Sequence, residues 1–284
     1  MFVALLNLTK PRISLLFAVS GLAALMIEGS LRSRPLLFWL IVLAIFLVGG
    51  SANALNQYFE RDLDKLMLRT ARKRPLPLEK VSPNLALAFA ITIGIMGCGM
   101  LWLLGGFLAF ALGLGTILFY SFYYTLWLKP RTPYNIVIGG AAGATGPLIA
   151  WAAATGTIRW ESFILFLIIF FWTPPHFWAL AICCKDDYAK VGMPMLPLVK
   201  GDETTRKQIL WYSLTLLPLS ASLLFFQGIG WIYGGTAIVL SVGFLALAIR
   251  LYRIKSTRLS WQLFGFSIAY LALLFLALIA DQLV

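Results

Sequence analysis

Two short acidic segments hold the side chains best suited to chemistry. The first reads Asn56-Gln-Tyr-Phe-Glu60-Arg-Asp62-Leu-Asp64. On a continuous helix, Asn56, Glu60 and Asp64 recur at i, i+4 and i+8 and share one face, within roughly 80° of arc, while Asp62 points elsewhere unless the helix unwinds. Three oxygen-bearing side chains on one face suit a hard cation such as Mg²⁺, which takes a few carboxylates together with substrate phosphates. Arg69, Arg72, Lys73 and Arg74 follow closely and can hold phosphate oxygens. The same charges also fit an ordinary solvated helix end with i,i+4 pairs. Asn56 argues for more, because a carboxamide inside an apolar run is costly without a partner and marks a functional position.

The second segment runs Thr173-Pro-Pro-His176-Phe-Trp, then Lys185-Asp186-Asp187-Tyr188-Ala-Lys190, then Pro194-Met-Leu-Pro197. Asp186 and Asp187 are expected at the cytoplasmic end of a helix, where they and the first acidic cluster can hold one or two Mg²⁺ between them, and the double proline is expected to kink that helix or open its backbone. Capping of the helix end is the plain alternative for the two aspartates. His176 is the only histidine. It can ligate or orient a metalloporphyrin or move a proton, or it can be a buried ring satisfied by a backbone carbonyl. Cys98, Cys183 and Cys184 lack metal-ligand spacing and imply no disulfide framework. The Cys183-Cys184 pair is expected to pack within a helix.

Long apolar elements must position these groups. Hydrophobic residues make up 61% of the chain and charged residues only 12%, against about 25% charged in soluble domains. The apolar runs reach the about 20 residues that a bilayer-spanning helix needs. The expected fold is all-α, a polytopic transmembrane bundle forming one domain over residues 1–284. Nine spans are expected, at 13–29, 36–59, 84–104, 107–127, 135–154, 161–182, 209–228, 231–250 and 261–281. The first is read as a retained helix rather than a cleaved signal.

With the N-terminus in the cytoplasm, all of the 23 Lys and Arg except Arg32, Arg34 and Arg159 fall on the cytoplasmic side. That asymmetry fixes the orientation. A net charge of +12 spread over short links between apolar runs points to topology, lipid headgroups or an anionic substrate, and away from nucleic acid. Two links, about 60–83 and 183–208, are long, and long links tend to be functional. They hold every acidic residue except Glu28, Glu161 and Asp281, and topology does not require acids.

The wording of these segments resembles a known family. Asn56-x3-Glu60-x-Asp62-x-Asp64, followed by Met67, Arg69-Thr70 and Arg74-Pro75, is similar to the first motif of the UbiA superfamily of intramembrane prenyltransferases. Thr173-Pro-Pro-His-Phe-Trp, Asp186-Asp187-Tyr188 and Pro194-Met-Leu-Pro197 resemble the second motif of its heme-farnesylating branch. Lys10-Pro11-Arg12, Lys129-x-Arg131-Thr132 and the Asn135 to Gly143 stretch match too. The resemblance runs from about residue 8 to 210, and the last three spans match only in being apolar. Two departures stand out. Glu60 replaces the more usual Asp, and Cys184 and Tyr188 occupy positions where quinone-type members carry carboxylates, which disfavours a quinone-type acceptor.

The resemblance implies a reaction. Farnesyl diphosphate would lie between the two motifs, bridged by Mg²⁺ to Asn56, Glu60, Asp64, Asp186 and Asp187, with Asp62 also catalytic. Lys10, Arg12, Arg69, Arg74, Lys129, Arg131 and Lys190 would take the remaining diphosphate oxygens. A vinyl group of heme b, held by His176 and Tyr188, would attack the allylic cation, and water would complete the product. Tyr58, Phe59, Tyr123, Tyr124 and Trp178 are candidates to shield that cation. The implied setting is a bacterial inner membrane rather than a mitochondrial one. The site would face the cytoplasm amid membrane lipid, with the next heme-modifying enzyme or a second copy as partner. Two rival readings are prenylation of an aromatic or quinone precursor, and a transporter with a broken helix. A structural membrane subunit is a third.

Overall fold

The computed structural model describes residues 1–284. Every element is helical: α1 (Phe2–Leu8), α2 (Pro11–Glu28), α3 (Pro35–Phe59), α4 (Arg61–Leu66), α5 (Leu68–Ala71), α6 (Pro83–Leu118), α7 (Asn135–Ala144), α8 (Gly146–Thr155), α9 (Trp160–Cys183), α10 (Lys185–Lys190), α11 (Leu196–Val199), α12 (Gly201–Ser222), α13 (Trp231–Ile254) and α14 (Thr257–Asp281). A π-helix, Phe119–Leu128, continues α6, and a 3₁₀ turn, Leu223–Phe225, closes α12. Pro11, Pro35 and Pro83 open their helices, where a missing N–H costs nothing. Gly29 and Gly156 close α2 and α8 with positive φ, as left-handed caps do.

Eight helical stretches are long and apolar enough to cross a bilayer. The longest, Pro83–Leu128, is interrupted at Gly106 (φ 80°, ψ −178°), a conformation open only to glycine. The chain reverses there, and the two spans expected on either side of Gly105-Gly106 are recovered. Two boundaries differ from expectation. The span at 135–154 is two helices, broken at Thr145 between α7 and α8. The seventh span starts at Gly201 rather than 209. The two long links are folded as well: α4 and α5 fill the first, and α10 and α11 fill the second. The double proline does not interrupt α9, which runs unbroken from Trp160 to Cys183.

Packing between spans relies on small residues, because lipid gives apolar helices no hydrophobic reason to associate. On α6, a Cβ at Gly94 would stand 2.6 Å from the Ser51 hydroxyl, and one at Gly97 would stand 3.1 Å from backbone atoms of α3. Ser51 in turn donates to the Ala90 carbonyl at 2.8 Å. This close fit fixes the end of α3 against α6, and so places the acidic segment that follows.

Candidate active site

Asn56, Glu60 and Asp64 lie at 2%, 5% and 2% exposure. The Glu60 amide donates to the Asn56 carbonyl at 3.0 Å and the Asp64 amide to the Glu60 carbonyl at 2.8 Å. Helical i→i−4 bonding therefore persists from α3 into α4, and the three side chains keep one face. Asp62 points outward, 77% exposed and paired at 3.8 Å with Arg61.

Basic groups from three distant segments converge on that face. Lys10 donates to Asn56 Oδ1 at 2.9 Å, and the Asn56 amide nitrogen donates to Thr125 Oγ1 at 3.1 Å. Lys129 is paired with Glu60. Arg74 contacts Asp64 directly and lies 3.4 Å from Glu60. Burial opposes the Glu60 charge, but Lys129 and Arg74 outweigh it and hold the carboxyl down at about 2. Burial, with Arg74 nearby, pushes the Lys10 ammonium well below its usual value.

The second segment reaches the first through Asp187. Its carboxylate accepts from the Leu68 amide at 3.3 Å and the Arg69 amide at 3.0 Å, the first turn of α5. Lys190 stands 3.9 Å away. Tyr188 is buried, with the Arg69 guanidinium 5.9 Å from its ring. Burial raises its phenol, while the charges of Arg69, Glu60 and Arg74 all act on it. The Arg69 guanidinium has no ion-pair partner, and its Nε is buried without a hydrogen bond. A cavity of about 190 Å³ opens beside the cluster, lined by Phe59, Glu60, Thr125 and Lys129 on one side and Val191 to Met193 on the other. Residues of both acidic segments therefore border the same region.

Other expected residues lie outside this cluster. Arg12 and Asp186 are exposed. Arg131 turns back on its own helix, donating to the Trp127 carbonyl at 2.8 Å. His176 sits between α9 and α14, bonded to Ser267 at 2.6 Å; a side-chain hydroxyl takes the place of the backbone carbonyl weighed above. Among the candidate shielding aromatics, Phe59 lines the cavity and Tyr124 lies under Lys129 at 5.9 Å. Tyr58 is covered by Arg61, Tyr123 is exposed, and Trp178 is fully buried. No three carboxylate, cysteine or histidine groups come together as a metal cage; the two buried carboxylates of the cluster are paired with Arg74 and Lys129.

Three participants carry little sequence signal. Thr125 and Tyr120 belong to the π-helix, where Thr125 bonds the Tyr120 carbonyl five residues back at 2.7 Å. Such turns occur often at functional sites, and this one carries Thr125 and Lys129 to the acidic face. Cys184 feels both Arg69 and Asp187.

A family model described as the UbiA prenyltransferase family matches residues 14–279. The chain belongs to this family. The match extends past residue 210, so the last three spans share in a likeness that the motifs alone did not reveal. As a member of the UbiA family, the chain is a membrane-embedded prenyltransferase. It is 46% identical over 283 residues to a protoheme IX farnesyltransferase of Azorhizobium caulinodans, an alignment covering 98% of this chain and 92% of that one. The fold is similar to that of a digeranylgeranylglyceryl phosphate synthase, with a TM-score of 0.80, 18% identity and coverage of 99% and 98%. It is also similar to a UbiA homologue from Archaeoglobus fulgidus bound to DMAPP and Mg²⁺, with a TM-score of 0.68, 18% identity and coverage of 96% and 98%.

Proposed function

We propose that this enzyme transfers the farnesyl group of farnesyl diphosphate to a vinyl group of heme b, with addition of water, releasing diphosphate. The observation that carries the diphosphate half is the buried Asn56–Glu60–Asp64 face, ringed by Lys10, Arg74 and Lys129, with Asp187 fastened to the same loop. The heme half rests on the relatives' activity and on Cys184 and Tyr188 standing where quinone-type enzymes carry acids.

The donor set fits Mg²⁺. Asn56, Glu60, Asp64 and Asp187 offer only hard oxygen ligands, and the buried carboxylates demand positive charge, met in this structure by Arg74 and Lys129. When bound, Mg²⁺ would neutralise diphosphate oxygens and stabilise the leaving group. Arg69, already free of any carboxylate, would bind the diphosphate through its planar fork, and Lys10 and Lys129 as point charges. Lys190, Arg12 and Arg131 would add attraction from the rim. Phe59 and Tyr124 would hold water away from the allylic cation. The proposal needs no ligand role for Asp62 or Asp186, which stand clear of the cluster.

The Lys and Arg asymmetry supports a cytoplasm-facing site in a bacterial cell membrane. Incubating the purified protein with heme b, farnesyl diphosphate and Mg²⁺ tests the reading. A heme product heavier by one farnesyl group and one hydroxyl supports it. Product with a phenolic acceptor and none with heme would overturn it in favour of quinone-type prenylation.

A further inference from the structure

Ser267, on α14, is fully buried and bonds two aromatic side chains at once. Its backbone carbonyl accepts from Trp172 Nε1 at 2.7 Å. Its hydroxyl lies 2.6 Å from His176 Nδ1 and donates to the Phe264 carbonyl at 2.7 Å. Trp172 stacks on one face of the imidazole at 4.4 Å between centroids, and Phe264 on the other at 4.6 Å. The ring is clamped on both faces, leaving only its edge to meet a ligand.

Hydroxyl chemistry then fixes the proton. A serine has one O–H, and here it is spent on the Phe264 carbonyl. Ser267 Oγ can therefore only accept from His176, so Nδ1 carries the hydrogen and Nε2 bears a lone pair. Nε2 has no hydrogen-bond partner in the protein and is not among its sealed, unpartnered polar atoms, while His176 as a whole keeps 8% exposure. A neutral imidazole with Nδ1–H anchored and Nε2 free is the state in which histidine binds metals, and the anchoring partner fixes the ring's tautomer and orientation.

We propose that Ser267 is a positioning residue that locks His176 in the Nδ1–H tautomer, so that Nε2 coordinates the iron of the bound porphyrin acceptor. This rests on heme being the acceptor, as proposed above. Ligation would hold the macrocycle beside α9, two turns in from the segment that carries Asp187, and leave its periphery free to react. Trp172 and Phe264 would prevent the ring from rotating away.

Absorption and electron paramagnetic resonance titrations of the purified protein with ferric heme b, without prenyl diphosphate, test the inference. Wild type is expected to give a nitrogen-ligated signature that His176→Gly loses and added imidazole restores. Ser267→Ala is expected to weaken heme binding roughly 10- to 100-fold, the usual effect of removing a ligand's hydrogen-bond partner. Ser267→Thr, which keeps the hydroxyl, is expected to retain the wild-type signature. Binding of farnesyl thiodiphosphate with Mg²⁺ should be unchanged in all three variants, which separates a ligand defect from misfolding. A wild-type signature in His176→Gly without imidazole, or wild-type heme affinity in Ser267→Ala, overturns the inference. If wild type farnesylates heme without nitrogen ligation from His176, the inference fails and the proposed reaction stands. If wild type ligates heme through His176 without farnesylating it, the proposed reaction fails and heme is not the acceptor, while the Ser267-locked ligation itself stands.

Discussion

Replacing Asp187 by alanine should free the loop that carries Arg69. The carboxylate is the only observed hydrogen-bond link between the second acidic segment and the first, through amides at 3.0 and 3.3 Å. A hydrogen bond to a charged group contributes about 1.5–3 kcal/mol. Asp187 is 12% exposed at its side chain and the longer bond is weak, so about 2 kcal/mol for the pair is a reasonable magnitude. That corresponds to a roughly 30-fold larger open population of the loop. Trypsin reads this directly, because Arg69, Arg72 and Lys73 follow the tether and the last two are exposed. In brief native digestion with opening and closing fast relative to cleavage, Asp187→Ala should be nicked in this segment about 30-fold faster than wild type. Asp187→Asn, which keeps one acceptor oxygen, should fall between. Turnover should be lost in Asp187→Ala. Equal nicking rates in Asp187→Ala and wild type would refute the tether, and near-normal turnover would remove Asp187 from the site.

Further outcomes follow from the same geometry. Glu60→Ala and Asp64→Ala should each abolish measurable farnesyl transfer while the protein still inserts, whereas Asp62→Ala, which alters an exposed carboxylate, should stay within a few-fold of wild type in the same product assay. Lys129→Ala strips Glu60 of its main partner and should lower kcat/KM by roughly 10- to 100-fold, the worth of one charged hydrogen bond, read in steady-state kinetics against farnesyl diphosphate. At Gly139 an added Cβ would fall 2.2 Å from the Tyr124 ring. Gly139→Ala should therefore displace the aromatic under Lys129 and cost about 1–3 kcal/mol as overpacking, seen as a lower detergent-solubilised melting temperature together with reduced turnover.

Helical period made much of this arrangement legible in the sequence. It put Asn56, Glu60 and Asp64 on one face and turned Asp62 away, and bonding across the α3–α4 junction preserved that spacing. Gly105-Gly106 marked a reversal because only glycine tolerates the backbone found at Gly106. The break at Thr145 stayed hidden, since Ala141 to Gly146 reads as one small, apolar run. Its local mark is Pro147, the second residue of α8, which has no N–H to carry the ladder of α7 forward, while Gly146 lets the chain pass the Phe17 carbonyl of α2, 2.8 Å from where a Cβ would stand. The partners of the site are hidden for a different, tertiary reason. Nothing local pairs Lys129 with Glu60, 69 positions away, or Asp187 with the Leu68 amide, 119 away. Asp186 and Asp187 looked equivalent because the chain leaves α9 at Cys184 with non-helical angles, which resets the direction of the side chains that follow. Ser267 gave no signal, being a small polar residue in an apolar helix whose role depends on a ring from α9.

The central claim is that carboxylates from two distant segments act on one diphosphate-bound cation, and a double-mutant cycle tests it. The measurement is the affinity for farnesyl thiodiphosphate in the presence of Mg²⁺, in wild type, Asp64→Asn, Asp187→Asn and the double variant, by calorimetry in nanodiscs. A shared site predicts a coupling of about 1 kcal/mol or more between the two changes. Additivity within about 0.5 kcal/mol, with each variant still binding its metal, would mean that the two segments serve separate sites, and would contradict the account.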